Sequence, residues 1–214
     1  MLTIDESIIE YVIKYTSPED EVLQELDRET NLKVLKPYML TGHLQGKILE
    51  MISKMVGPAN ILEIGTFTGY SAICLARGLK KGGMLHTIDR NDELTDFSKK
   101  YFRKAGLADR IKQYTGEARD IIPKLNCAFD LVYMDIDKED YLYIYNLIFD
   151  KVAAGGFIMA DNVLWSGKVT GQYKLADKDT RSIISFNNFV KDDDRVENTI
   201  IPVRDGLMVI RKCR

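Results

Sequence analysis

The sequence predicts an α/β fold: a doubly wound, mostly parallel sheet of seven strands, with helices on both faces and further helices before it. From residue 59 onward, short apolar runs alternate with stretches of helical periodicity, which is typical of a parallel sheet covered on both faces. The last two apolar runs are separated by Arg204-Asp205-Gly206, and an Asp-Gly pair in that position is a hairpin signal. We therefore expect the last two strands to form an antiparallel hairpin at one edge of the sheet.

The segment before this alternation carries only helical patterns. Apolar residues recur at helical spacing over 5–31, with a break at Ser17-Pro18. Because serine is a favoured N-cap and proline is tolerated in the first helical turn, we expect a second helix capped by Ser17. A third helix is predicted over 43–56, where apolar residues recur every three or four positions.

The alternating part divides at turn residues into strands and helices. The predicted strands are short apolar runs at 61–64, 84–88, 111–114, 129–134, 157–160, 196–203 and 207–210. The predicted helices lie at 71–79, 93–105, 120–122 (a short one), 141–152 and 180–191. We assign one domain, 1–214, in which 1–38 form an N-terminal helical extension and 39–214 form the core.

The composition indicates a soluble globular protein. Hydrophobic residues make up 45% of the chain and charged residues 29%, and no apolar run is long enough to span a membrane. The N-terminus is interrupted by charges, unlike a secretory signal, and the 3 cysteines are widely spaced. We therefore expect a cytoplasmic protein with reduced thiols. With 2 histidines a structural zinc site is disfavoured, and the net charge of −2 disfavours nonspecific binding to polyanions.

Oxygen-bearing side chains follow two predicted strands at the point where each strand ends. Asp135 follows the run 129–134, and Asp161-Asn162 follow the run 157–160. Open α/β sheets build their binding sites at the carboxyl ends of their strands. Two carboxylates and an amide offer oxygen ligands, which suit a hard divalent cation such as Mg²⁺. The alternative interpretation of Asp161-Asn162 is a turn or a helix cap.

A loop from Gly65 to Gly69 joins the first predicted strand to its helix. Glycines in such a loop let the backbone approach a ligand closely, and the helix N-terminus offers free N–H groups. The spacing Gly-x-x-x-Gly differs from the Gly-x-Gly-x-x-Gly of pyrophosphate-binding sites, which disfavours a nicotinamide oxidoreductase. Asp89 ends the next predicted strand, where a carboxylate accepts ribose hydroxyls. We therefore expect an adenosine-containing cofactor; the alternative is a packing role for either glycine.

Two segments resemble a known enzyme family. Residues 61–79, ILEIGTFTGYSAICLARGL, resemble the first motif of S-adenosylmethionine-dependent methyltransferases. Residues 134–169, MDIDKEDYLYIYNLIFDKVAAGGFIMADNVLWSGKV, resemble the cation-dependent O-methyltransferases, the caffeoyl-CoA and catechol O-methyltransferase family. The resemblance extends from about Met39 to the end of the chain. It implies a Rossmann-like methyltransferase fold, S-adenosyl-L-methionine as cofactor, a bound divalent cation and a homodimer.

The resemblance implies a cofactor site around the glycine loop. It assigns Asp89 to the ribose and the backbone at Ala118 to the adenine. Met39 and Thr41 match positions that close over the cofactor, although core packing and helix entry explain them equally well. The implied contacts of S-adenosyl-L-methionine are Met39, Thr41, Glu63, Gly65, Phe67, Ser71, Asp89, Ala118 and Asp135.

The resemblance also implies the reacting groups. Asp135, Asp161 and Asn162 match the family's metal ligands, with Mg²⁺ as the first choice and Ca²⁺ or Mn²⁺ as alternatives. Lys138 matches the general base and forms the catalytic set with Asp135. Because an ordinary lysine is protonated at neutral pH, this role requires a lowered pKa. Trp165 matches an aromatic wall for the acceptor; packing under its own loop is the alternative.

The acceptor implied by the resemblance is a small aromatic diol, catechol-like or phenylpropanoid. The stretch 198–204 lacks the carboxylate with which animal catechol methyltransferases hold the second hydroxyl. Tyr173 and Arg181 are further candidate contacts in the loop that should cover the acceptor.

Two other functions stay open at this point. One is methylation of a hydroxylated tRNA base, which calls for positive charge at the mouth of the site; the contributors would be Lys168, Lys174, Lys178 and Arg181. The other is a non-catalytic adenosine-binding module. The presence of Lys138 and of every metal ligand argues against it, because binding alone requires none of them.

Overall fold

Seven strands form one sheet in the computed structural model, which describes residues 5–171 and 177–213. They are β1 (Asn60–Ile64), β2 (Met84–Asp89), β3 (Ile111–Thr115), β4 (Phe129–Met134), β5 (Val152–Ala160), β6 (Val196–Ile201) and β7 (Leu207–Lys212). Their order across the sheet is β3-β2-β1-β4-β5-β7-β6. Strands β1 to β5 are parallel, whereas β7 is antiparallel to both of its neighbours. The predicted fold class is confirmed, including the antiparallel hairpin at one edge.

Eight α-helices surround this sheet in the described residues. They are α1 (Glu6–Tyr15), α2 (Glu21–Lys33), α3 (His43–Val56), α4 (Tyr70–Ala76), α5 (Thr95–Lys104), α6 (Ala118–Ile121), α7 (Tyr141–Phe149) and α8 (Lys178–Asp192). Short 3₁₀ turns lie at Pro37–Met39, Ile122–Lys124, Lys138–Asp140 and Trp165–Thr170. Within the described ranges, no helix is both long enough and apolar enough to cross a membrane.

Two local predictions were wrong. The second helix is capped by Asp20, whose carboxylate accepts hydrogen bonds from the backbone N–H groups of Val22 and Leu23, and not by Ser17. Aspartate serves both as a cap and as a favourable charge at a helix N-terminus, so the helix begins later than Pro18. The predicted helix 141–152 ends at Phe149, because Val152 already pairs with Phe129 and begins β5.

The core consists of two apolar layers, one on each face of the sheet. Along β4, Leu131 and Tyr133 face one layer and Val132 and Met134 face the other, as expected from the two-residue period of a strand. Helices α2 to α5 cover the first layer, and α6 to α8 cover the second. Both faces are therefore buried, which explains why the parallel strands read as continuous apolar runs.

Candidate active site

The predicted site residues meet at the carboxyl edge of the parallel strands. Backbone hydrogen bonds connect the loops there: Gly65 N–H donates to the Ile88 carbonyl (2.9 Å), Asp135 N–H to the Ile64 carbonyl (2.9 Å), and Asp161 N–H to the Met134 carbonyl (3.0 Å). This edge includes the place between β1 and β4 where the strand order reverses, which is where open α/β sheets bind their ligands. The structure thus brings the glycine loop and the acidic residues into one site.

The loop after β1 requires glycine at its first position. Gly65 has a φ of +104°, and a Cβ there would clash with the backbone carbonyl of Asp135. Asp89 fixes the same loop, because its Oδ2 accepts hydrogen bonds from the N–H groups of Thr66 (3.0 Å) and Phe67 (2.8 Å). The sequence did not predict this contact. The ribose role of Asp89 stays a prediction, and its Oδ1 accepts a hydrogen bond from the Asn91 N–H (2.9 Å).

Glu63 carries a buried carboxylate that lacks a complete set of partners. Its Oε2 accepts a hydrogen bond from the Thr87 hydroxyl (2.6 Å), whereas Oε1 is buried and has no hydrogen-bond partner among the described residues. Burial raises the pKa of Glu63 to about 8. The Ser71 hydroxyl, buried in the first turn of α4, opposes that shift. An orphaned acceptor of this kind fits a ligand that donates a hydrogen bond or carries positive charge, as the amino group of S-adenosylmethionine does.

The other predicted cofactor residues lie on separate segments around this edge. Met39 is about half exposed in the turn before α3, and Thr41 is buried. Arg204, in the turn between β6 and β7, donates from Nη1 to the carbonyls of Leu40 (2.9 Å) and Thr41. Ala118 begins α6, where the first backbone N–H groups have no intrahelical partner.

Asp161 lies in a buried network of hydrogen bonds. Its Oδ2 accepts from the Tyr133 hydroxyl (2.7 Å) and from Nε2 of Gln45 (2.6 Å), and its Oδ1 accepts from the Asn162 N–H (2.8 Å). Nε2 of Gln45 also donates to the Tyr133 hydroxyl (3.2 Å). No pattern in the sequence singles out Gln45 or Tyr133, because both lie inside ordinary periodic elements.

Lys138 is buried next to the acidic residues. Its Nζ donates to Oδ1 of Asn162 (2.8 Å) and to the Tyr141 hydroxyl (3.0 Å), and it lies 3.7 Å from Oδ1 of Asp135. The Tyr141 hydroxyl in turn donates to the backbone carbonyl of Asp161 (2.8 Å). Burial lowers the pKa of Lys138, while the carboxylates of Asp135 and Asp161 raise it, and the net direction is downward.

The donor set fits a divalent cation. Oxygens of Asp135 and Asn162 converge on the single cationic atom Nζ of Lys138. Burial, and then the nearby Asp161 carboxylate, raise the pKa of Asp135, while Lys138 and Arg204 oppose that shift. In the two described segments, no group of three or more His, Cys, Asp or Glu side chains is placed to hold a metal ion. The predicted metal ligands are two carboxylates and one amide, so they do not form a group of that kind.

Trp165 lies in a loop with unusual backbone geometry. Asn162, Trp165 and Ser166 all have positive φ values, of 55°, 47° and 52°. The Trp165 ring packs against the core layer that faces α7 and α8, and Nζ of Lys138 lies 5.5 Å from its centroid. The packing agrees with the alternative interpretation, and the role of Trp165 as an aromatic wall for the acceptor stays a prediction.

The turn between β6 and β7 contributes Asp205, which the sequence predicted only as part of a hairpin turn. A carboxylate oxygen of Asp205 accepts a hydrogen bond from the Ser166 N–H, and its backbone carbonyl accepts one from Leu164 N–H (2.9 Å). Asp205 also acts electrostatically on Lys138. Tyr173 and Lys174 lie outside the described residues.

Comparison with known proteins identifies the family. The family model described as O-methyltransferase matches residues 13–213. This chain belongs to the O-methyltransferase family. A caffeoyl-CoA O-methyltransferase of Eucalyptus globulus is 32% identical over 206 residues, which cover 91% of this chain and 82% of that protein. A caffeoyl-CoA O-methyltransferase of Petunia hybrida is 31% identical over 207 residues, covering 91% and 84%.

Solved structures of O-methyltransferases agree with this membership. An O-methyltransferase from Bacillus cereus, in complex with SAH, matches with a TM-score of 0.88 at 28% identity and covers 96% of this chain and 97% of that one. One from Streptomyces achromogenes, involved in tomaymycin synthesis and in complex with SAM, has a TM-score of 0.89 at 28% identity, covering 97% and 96%. The protein is an S-adenosylmethionine-dependent O-methyltransferase of the caffeoyl-CoA type.

Proposed function

We propose that this O-methyltransferase needs a divalent cation, Mg²⁺ first, with Ca²⁺ or Mn²⁺ as alternatives, and methylates one hydroxyl of a catechol-like or phenylpropanoid small molecule. One observation carries the proposal: a buried lysine lies among two carboxylates and an amide at the ligand-binding edge of the sheet. Binding of the cofactor alone requires neither the lysine nor the paired acidic residues. The caffeoyl-CoA O-methyltransferases among its relatives support a phenolic acceptor.

In this proposal, Asp135, Asp161 and Asn162 hold the cation through oxygen atoms. A bound divalent cation would favour the ionised form of an acceptor hydroxyl. Nζ of Lys138 takes the hydroxyl proton, and the acceptor oxygen receives the methyl group, which leaves S-adenosylhomocysteine and a methyl ether. Burial prepares Lys138 for this step by lowering its pKa. Tyr141 and Asn162 orient Nζ through their hydrogen bonds.

The cofactor in this proposal lies against the glycine loop. The orphaned Oε1 of Glu63 is the structural observation that supports its position, since it needs a donor. Ser71 and Gly65 line the same end of the site, with Phe67 as a wall. Asp89 is assigned to the ribose and the backbone at Ala118 to the adenine. Met39, Thr41 and Asp135 complete the predicted contacts, and Trp165 is assigned to the acceptor.

The structure gives the RNA alternative little support. Such an acceptor calls for free positive charge at the mouth of the site. Lys168 instead forms an ion pair with Asp177 (2.8 Å), and Lys178 forms one with Glu139. A small neutral or weakly charged acceptor therefore fits the described surface better. The proposal also includes a homodimer and a cytoplasmic location.

The first test is turnover with 3,4-dihydroxylated aromatic acceptors. The purified protein is incubated with S-adenosylmethionine and the acceptor, with Mg²⁺ or after treatment with a chelator, and S-adenosylhomocysteine is measured. The proposal predicts turnover that a chelator abolishes and Mg²⁺ restores. Turnover that is unaffected by chelation would contradict the metal requirement. Cofactor binding without turnover of any diol would contradict the proposed acceptor class.

A further inference from the structure

The Asp161 carboxylate is held by two side chains that the proposed reaction does not use. Gln45 from α3 and Tyr133 from β4 both donate to its Oδ2, at 2.6 Å and 2.7 Å. Gln45, Tyr133 and Asp161 are each at least 95% buried. The network is therefore buried, and it connects α3, β4 and the residue that follows β5.

The two carboxylate oxygens of Asp161 accept different numbers of hydrogen bonds. A carboxylate oxygen has two acceptor positions, and Oδ2 uses both of them, for Gln45 and Tyr133. Oδ1 accepts one hydrogen bond, from the Asn162 N–H at 2.8 Å. Among the residues that the structure describes, one acceptor position therefore remains, and it is on Oδ1.

We infer that Gln45 and Tyr133 are positioning residues that occupy Oδ2 of Asp161, so that the carboxylate offers only Oδ1 to a cation. The inference rests on the proposed metal dependence. It deepens that proposal because it names the groups that orient one ligand. Partners of this kind, one step removed from the metal, typically contribute about 10- to 100-fold to metal affinity.

The Tyr133 hydroxyl is suited to a donor role. It donates to Oδ2 of Asp161 at 2.7 Å and so acts as a donor in this network. Tyr133 also accepts a hydrogen bond from Gln45, so the amide fixes the direction in which the hydroxyl donates. Loss of either side chain opens one acceptor position on Oδ2 and loosens the orientation of the carboxylate.

A purely structural role for the network makes a different prediction. If Gln45 and Tyr133 only attached α3 to the sheet, their replacement would lower stability and affect all ligands alike. If they orient Asp161, replacement weakens metal binding specifically and leaves the predicted cofactor contacts on the loop after β1 intact. Metal affinity, measured apart from turnover, separates the two roles.

The experiment compares the wild-type protein with Tyr133→Phe, Gln45→Leu and the double variant. Tyr133→Phe retains the ring in the core and removes only the hydroxyl. Tyr145→Phe is the matched control, because that buried tyrosine donates to Asp193 far from the site. For each protein we would measure the Kd of Mn²⁺ by water-proton relaxation, the Kd of S-adenosylmethionine by calorimetry and the unfolding midpoint in urea.

The inference predicts a Kd of Mn²⁺ that rises about 10- to 100-fold in Tyr133→Phe and Gln45→Leu. The Kd of S-adenosylmethionine should stay within about twofold, and the losses should be less than additive in the double variant because the two groups share one oxygen. The Mg²⁺ concentration for half-maximal turnover should rise while turnover at saturating Mg²⁺ recovers.

Three results would overturn the inference, and they are distinguishable. Wild-type affinity for Mn²⁺ in both folded variants would show that Asp161 needs no positioning, while the metal dependence itself would stand. Failure of the wild-type protein to bind Mn²⁺ would remove the proposed metal site and the inference with it. An unfolding midpoint that falls in Tyr133→Phe but not in Tyr145→Phe, with unchanged Mn²⁺ affinity, would assign the network to stability alone.

Discussion

Lys138 combines burial with a set of acceptors, which is the environment expected of a group that exchanges a proton. Its Nζ has the Tyr141 hydroxyl at 3.0 Å and Asn162 Oδ1 at 2.8 Å, while four carboxylates, those of Asp135, Asp161, Asp205 and Asp137, act on it electrostatically. Desolvation opposes the ammonium form, and the carboxylates support it. The added positive charge of a bound cation would favour the neutral amine further.

Replacement of Lys138 by alanine is expected to lower kcat by about 10²- to 10⁴-fold, the usual contribution of a general base. The Kd of S-adenosylmethionine should change little, because the lysine lies on the acceptor side of the site. Lys104→Ala is the control, since that lysine pairs with Glu25 on the far face of the protein. Single-turnover kinetics with saturating cofactor would measure the effect, and wild-type rates in Lys138→Ala would rule out the proton-transfer role.

Glu63 makes stability depend on pH in a direction opposite to that of a paired carboxylate. Its folded pKa of about 8, raised by burial, exceeds the unfolded value of about 4.3, so the native state holds one extra proton between these pH values. The free energy of unfolding of the cofactor-free protein should therefore fall as pH rises through this window, by up to about 1.4 kcal/mol per pH unit.

The Glu63→Gln variant isolates this contribution, because glutamine has the same shape and does not titrate. Urea unfolding at pH 5, 6.5 and 8 should show that the wild type loses stability relative to Glu63→Gln as pH increases. Glu197→Gln, at an exposed position in β6, should follow the wild type. Parallel pH profiles for wild type and Glu63→Gln would show that Glu63 is ionised in the folded protein.

At the scale of elements, the turn between β6 and β7 connects two parts of the site that are far apart in sequence. Arg204 holds the carbonyls of Leu40 and Thr41, just before α3, and Asp205 holds the backbone of Ser166. Gly206 has a φ of +86°, and a Cβ there would clash with the Leu164 side chain. The turn between β6 and β7 thus holds both the segment 40–41, which is predicted to contact the cofactor, and the loop that carries Trp165.

Arg204→Ala is expected to weaken S-adenosylmethionine binding about tenfold, because two charge-assisted hydrogen bonds to the segment before α3 are lost. Arg211→Ala is a matched control in the same hairpin, where the arginine faces Glu197 at the surface. Calorimetric titration of the cofactor into both variants would measure the difference. Equal affinities would mean that the segment 40–41 keeps its position without Arg204.

The local elements were predictable from the sequence because their causes are local. Strand β4 matches its predicted bounds, and α3 begins and ends as predicted, since periodicity and flanking turn residues determine both. The start of β5 was missed, because Val152 becomes a strand residue only through its pairing with Phe129. The contact of Gln45 with Asp161 spans 116 positions, and no local pattern encodes it.

At the scale of the whole molecule, α1 is the element that the rest of the described chain covers least. Ile8, Tyr11 and Tyr15 are all more than half exposed, and with Val12 they follow the spacing i, i+3, i+4, i+7 along one helical stripe. An exposed apolar stripe on a helix is typical of an interaction surface. The proposed homodimer gives this stripe a partner in a second copy of the chain.

Substitutions on α1 therefore test the oligomer without affecting the core. We expect the wild-type protein to sediment as a dimer of 24.4 kDa chains. We expect the double variant Ile8→Glu with Tyr11→Glu to sediment as a monomer, because two buried carboxylates would oppose the interface. Glu10→Lys, on the opposite side of the same helix, is the control and should remain dimeric.

Since the stripe makes few contacts within its own chain, the monomeric variant should unfold as an intact domain with near wild-type cooperativity. A wild-type monomer at micromolar concentration would contradict the homodimer, whereas a dimer that tolerates both glutamates would place its interface elsewhere on the molecule.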